Sequence, residues 1–211
     1  RPHVVTPGRR NFWAFRPVKR PEVPRPEGSA WARGLIDRFI LSKLETAGIA
    51  PAPEADPLAL FRRLTFDLTG LPPTPEEVQA FRSDEATGAY ERAVDGLLAS
   101  PHYAERFARH WMVLFRYAES HGSEVDPTTQ HAYRYRDYLI RAFEADVPWD
   151  RMAQESVAGD LLSTRLETES GINDAALGTA HLRFVQHGYA PTDPLEEQVR
   201  FVENQIDVVS K

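Results

Sequence analysis

Apolar residues in this chain recur mainly at the helical period, and alternating β-branched runs are almost absent. Ile36, Phe39, Ile40 and Leu44 form the first stripe, with Gly48 placed behind it as a C-terminal cap. Later starts repeat one device, a capping residue followed by proline: Asp56-Pro57, Thr74-Pro75, Ser100-Pro101 and Asp193-Pro194. Proline suits the first helical position because the amide it lacks would go unpaired there anyway. Thr74 with Glu77, and Asp193 with Glu196, have capping-box spacing, and Gly70 stops the helix begun at Pro57. The pattern predicts further helices over 88–99, 101–119, 131–145, 148–161 and 173–185. A last one runs from Pro194 with Val199, Val202, Ile206 and Val209 on one face. Loops fall at 120–130, 162–172 and 186–193. The predicted fold is mainly α, an irregular multi-helix domain.

Residues 1–34 read differently. Pro2, Pro7, Pro17, Pro21, Pro24 and Pro26 favour extended backbone, and Phe12, Trp13 and Phe15 are aromatic anchors suited to pinning an arm. The expected organisation is an extended arm over 1–34 docked on a helical domain over 35–211. The arm is basic: Arg1, Arg9, Arg10, Arg16, Lys19, Arg20, Arg25 and Arg33 face only Glu22 and Glu27. With a net charge of −6 for the whole chain, the simplest place for such an arm is its own acidic body rather than nucleic acid. The start at Arg1 and a last helix without a stop signal before Lys211 lead us to expect more polypeptide on either side.

Cysteine is absent, which excludes disulfides, zinc–thiolate sites and covalent haem attachment within these residues. No apolar run is long enough to span a bilayer. No phosphate-binding glycine loop, nucleophile elbow, HExxH or dinucleotide fingerprint occurs.

The segment RHWMVLFRYAESHG concentrates the chemistry. As a helix over 101–119 it buries Tyr103, Phe107, Trp111 and Leu114, puts Arg109 and Arg116 opposite, and sets His110 and Tyr117 at the border. His110 is either a core histidine with one hydrogen bond or a haem ligand, metal ligand or acid–base group. Tyr117 is either a packed aromatic with its hydroxyl at a rim or part of the same site. The next loop supplies Glu119, Glu124 and Asp126, a solvated acidic loop or a divalent-cation site, together with His131. Arg134, Asp137 and Arg141 share turns of one helix, as a charge ladder or as guanidinium groups for an anionic ligand. The candidate catalytic residues are His110, Tyr117 and Glu119.

The strings NFWAFRPVKRPEVP, LFRRLTFDLTGLPPTPEEV, LLASPHYAERFARHW, YRYRDYLIRAF and AGDLL, in that order, resemble the planctomycete cytochrome-c-associated domain of unknown function, the second of the PSCyt domains. The resemblance implies an exported polypeptide, periplasmic or at the cell surface, with cytochrome-c-type, carbohydrate-binding and other domains nearby. It also implies a Cys-x-x-Cys-His haem segment just downstream of NQIDVVSK. The chain departs from the family pattern at Glu119, Ser123, His131 and Tyr133.

Three functions follow as expectations. The first is an electron-transfer or oxidoreductase module, acting on carbohydrate, packed around a c-type haem held downstream. His110, Arg109, Arg116, Tyr117 and His131 would line that haem, the arginines facing its propionates. The second is a non-catalytic scaffold contacting the rest of the same polypeptide. The third is a metal-dependent hydrolase using Glu119, Glu124 and Asp126.

Overall fold

Why several of the helices begin where they do is legible in their caps. In the computed structural model the described residues are 8, 11–28, 30–122, 126–168, 170–184 and 193–210. Helices α1 (Leu35–Thr46), α2 (Pro57–Thr69), α3 (Pro75–Ser83), α4 (Ala89–Leu98) and α5 (Pro101–Leu114) come first. They are followed by α6 (Tyr133–Glu144), α7 (Trp149–Ala158), α8 (Asp174–Leu177) and α9 (Pro194–Ser210). Among the described residues there is no strand, only isolated bridges at Ser120–Thr128 and Leu166–Asn173, so the fold is mainly α.

The proline-preceding caps work as the sequence implies. Asp56 Oδ1 accepts from the amides of Leu58 at 2.9 Å and Ala59 at 3.2 Å. Thr74 and Glu77 close a reciprocal capping box, with the Thr74 amide donating to Glu77 Oε2 at 2.7 Å. Asp193 caps α9, but its box stays half made, because the Glu196 carboxylate turns to Arg200 at 2.7 Å. Gly70 takes the left-handed φ of 74° that ends α2, and a Cβ there would sit 3.0 Å from Arg106 Cδ.

Two helix predictions need correction. The helix expected over 101–119 ends at Leu114, since Arg116 adopts a left-handed φ of 53° and releases Tyr117 and Glu119 into a loop. The helix expected over 173–185 holds α geometry only to Leu177 and tightens into a 3₁₀ turn over Gly178–Arg183, where it crosses α7. In α1 the buried residue is Leu41, whereas Ile36 and Ile40 of the predicted stripe are exposed.

The chain divides into two compact units at Glu54 and Ala55. In the first, extended segments and a 3₁₀ turn (Trp13–Phe15) precede α1. The amide of Gly28 donates to Glu45 of α1 at 3.0 Å, while Phe12 and Trp13 are exposed and lie against each other.

In the second unit, α5, α6 and α7 share one core of Ala108, Trp111, Tyr135, Tyr138, Leu139, Ala142 and Met152. Small residues let backbones touch. A Cβ on Gly159 would fall 1.8 Å from the Ala175 carbonyl oxygen, and one on Gly178 would fall 2.5 Å from that of Glu155. Between these crossings the chain makes a hairpin-like excursion closed by Leu166 and Asn173, with the Glu167 amide donating to the Ile172 carbonyl at 2.8 Å.

Candidate functional site

The residues singled out from sequence separate into several places. His110 and Arg109 are exposed on α5, and the His110 ring meets the edge of Phe107 at 5.9 Å. The turn of α5 therefore presents His110 outward and leaves Ala104, Ala108 and Trp111 as its buried face. Arg116 is tied to Asp207 of α9 at 2.7 Å.

Tyr117 and Glu119 do meet. The half-buried tyrosine donates to Glu119 Oε1 at 2.8 Å, and Arg136 reaches the same oxygen at 3.4 Å. Burial, and then the Glu119 carboxylate, push the Tyr117 hydroxyl well above the ordinary phenol range. His131 has a left-handed φ of 61°, is exposed, and lines a cleft of about 340 Å³ with Thr129, Arg134, Tyr135, Arg183 and Phe184. Among the described residues, no hydrogen bond or ring contact joins His110, Arg109 or His131 to the Tyr117–Glu119 pair.

Asp126 accepts from the Gly122 amide at 2.8 Å, closing the loop on itself, and Glu124 lies outside the described residues. No group of three metal-ligating side chains occurs among the described residues. The Arg134–Asp137–Arg141 ladder is not made. Asp137 pairs with its neighbour Arg136 at 2.9 Å, and Arg141 turns to Asp174 at 2.6 Å.

That last contact belongs to a network that helix periodicity alone does not announce. Glu155, fully buried on α7, accepts from the Tyr138 hydroxyl at 2.9 Å, Arg151 at 2.9 Å and the Nη2 and Nε of Arg165 at 2.9 and 3.2 Å. Arg165 also reaches Asp174, which Arg141 grips from the other side, so two buried carboxylates share three guanidinium groups. Burial works to raise the Glu155 carboxyl, yet hydrogen bonds from Arg165, Tyr138 and Arg151 outweigh it and hold the group below its ordinary value. In the sequence Arg151 and Arg165 merely flank AGDLL, one on each side, and neither marks the carboxylates it meets.

Beside it the aromatic core contains polar groups left incomplete. The Trp111 indole N–H faces the Tyr135 hydroxyl, and neither completes a hydrogen bond. His181 is buried, with Nδ1 against the Gly178 carbonyl at 2.9 Å and Nε2 unpaired. Burial lowers its pKa from the ordinary 6.5, which favours the neutral ring.

Both shifts have the same sign for stability. A depressed folded pKa means that the unfolded chain binds the proton first, so stability is lost as pH falls. Urea midpoints followed from about pH 8 to about pH 3 should drop in two steps. The first begins below 6.5 from His181 and the second below 4.5 from Glu155. His181→Gln should abolish the upper step alone; an unchanged upper step in that variant would refute the assignment.

A second cleft lies among α2, α3 and α4, with a volume of about 620 Å³. Phe61, Thr65, Leu71, Phe81, Ala93 and Leu97 line its apolar part, and Asp84, Arg92 and His102 stand among the polar residues of its lining. The strings LTFDLTGLPPTPEE and SPHY, which carry much of the family resemblance, meet here.

No curated protein and no solved structure matches the chain. A family model described as a protein of unknown function, DUF1549, matches residues 35–211. With that match across most of its length, the chain belongs to the PSCyt2 family.

Proposed function

We propose that this chain is a non-catalytic scaffold module of a longer, exported, cytochrome-associated polypeptide, and that it positions a neighbouring part of that polypeptide. The observation that carries this reading is the outer face of α9. Val199, Val202, Ile206 and Val209, at helical spacing, are each about half exposed, from 47% to 60%. The helix is held in place by Arg116 to Asp207 and by Gln205 donating to the Leu182 carbonyl at 3.0 Å. A row of apolar side chains on a helix already fixed in place is what a contact surface requires. The buried charges support the same reading, because Glu155 and Asp174 spend their oxygens on arginines and a tyrosine.

The test uses the whole polypeptide. Val202→Asp with Ile206→Asp should speed proteolysis of the neighbouring part, while His110→Ala leaves haem absorbance and reduction potential unchanged. Undiminished protease resistance in the double variant would overturn the scaffold reading.

An electron-transfer module is the second reading, favoured by a line of oxidisable rings. Trp149, 67% exposed, lies 4.6 Å from Trp111, which faces Tyr135, and Tyr135 stacks on Tyr117 at 6.4 Å. A shifted haem potential in His110→Ala would favour it. Action on carbohydrate, under either reading, rests on the company such domains keep.

A further inference from the structure

We infer that the cleft among α2, α3 and α4 is a binding site for a small, uncharged molecule with an apolar ring body and one hydroxyl or carbonyl. This goes beyond the scaffold reading and does not depend on it.

Three features of the cleft lead there. Its volume, about 620 Å³, is that of a small-molecule pocket, and helices wall it on several sides. Its interior is apolar even where the sequence is not. Thr65 donates its hydroxyl to the Phe61 carbonyl at 2.9 Å and Thr69 to the Thr65 carbonyl at 2.7 Å, so neither hydroxyl has a proton left for a ligand. Phe61 and Phe81 stack at 4.5 Å, nearly parallel, as one wall.

Gly96 is the second feature. It lies within α4 and lines the cleft, and a Cβ built on it would meet nothing within 4 Å. Its φ is not in the left-handed region. Neither backbone strain nor packing calls for glycine there, although in a helix it costs about 0.5–1 kcal/mol relative to alanine. The space beside it is open, so a long side chain there has room to enter the cleft.

The third feature is charge. Arg92 forms a bidentate pair with Asp84 at 2.7 Å and also donates to the Thr87 carbonyl at 2.9 Å. Glu77 is engaged in its own helix cap, and His102 Nδ1 lies 3.1 Å from Glu105. The charged groups are thus already answered, which disfavours an ionic ligand. The Ser100 oxygen accepts from the His102 amide at 3.3 Å, leaving its hydroxyl proton to donate, and His102 keeps its second ring nitrogen. Together these can serve one hydroxyl or carbonyl.

The probe is 1-naphthol, titrated calorimetrically into the full chain. Saturable one-site binding with a negative heat-capacity change is expected. Gly96→Leu, which puts a side chain into the space, should weaken binding about tenfold or more while the thermal midpoint holds. His102→Ala, at an exposed first-turn position, should weaken it about three- to tenfold, the value of one hydrogen bond. Absence of saturable binding to the folded wild-type chain would overturn the inference. So would unchanged affinity in both variants, which would place the naphthol elsewhere and leave the cleft to a partner's side chain or to solvent.

Discussion

Glu155→Ala should destabilise the second unit by about 3–5 kcal/mol, because it strands charge and does not merely remove a contact. The carboxylate is fully buried and satisfies Tyr138, Arg151 and Arg165 at once. Without it the Arg165 guanidinium keeps only Asp174, and the Tyr138 hydroxyl is buried with no acceptor. For a unit of this size the loss corresponds to a fall in thermal midpoint of roughly 10–15 °C. The double variant Glu155→Ala with Arg165→Met should recover part of that loss, since it removes the orphaned charge as well. A midpoint within about 2 °C of wild type for the single variant would show that the network contributes little.

Gly159→Ala should cost more than a glycine-to-alanine change at any other glycine among the described residues. The added carbon would lie 1.8 Å from the Ala175 carbonyl oxygen and 2.5 Å from that of Glu155. Both obstacles are backbone, so no rotamer change relieves them, and α7 must part from the segment starting at Asp174. A cost of about 4 kcal/mol or more is expected, a large share of the total stability of an ordinary domain. Circular dichroism and urea titration read it directly. By contrast Gly96→Ala meets open space and should be neutral or stabilising, which makes the pair an internal control. A mild Gly159→Ala would show that the two segments can separate freely.

What the sequence disclosed follows physical locality. Caps and stops such as Asp56, Thr74, Ser100 and Gly70 act on their own helix within a turn, so their roles are legible in the sequence alone. The end of α5 was not, because a left-handed Arg116 carries no compositional mark. Nor was the fate of Arg141, which at helical spacing from Asp137 looked like part of a ladder. It chose a buried carboxylate 33 residues away over a half-exposed neighbour that pairs with Arg136. That His110 is exposed was not legible for a related reason: a border position on a helical wheel fixes direction but not what the neighbouring helices cover. The cleft beside Gly96 was invisible because a glycine that leaves space reads in sequence as one that merely weakens a helix.

The excursion between the two crossings carries a practical corollary. Its tip beyond Leu166 and Asn173 is held at the neck by the bridge and by Arg165, whose guanidinium anchors to Glu155 and Asp174. Extra residues spliced into that tip would hang from a closed neck and leave the crossings untouched. Each doubling of its length adds only about 0.6 kcal/mol of closure entropy. The turn around Gly171 is therefore a natural seat for a reporter, an epitope or a whole inserted domain.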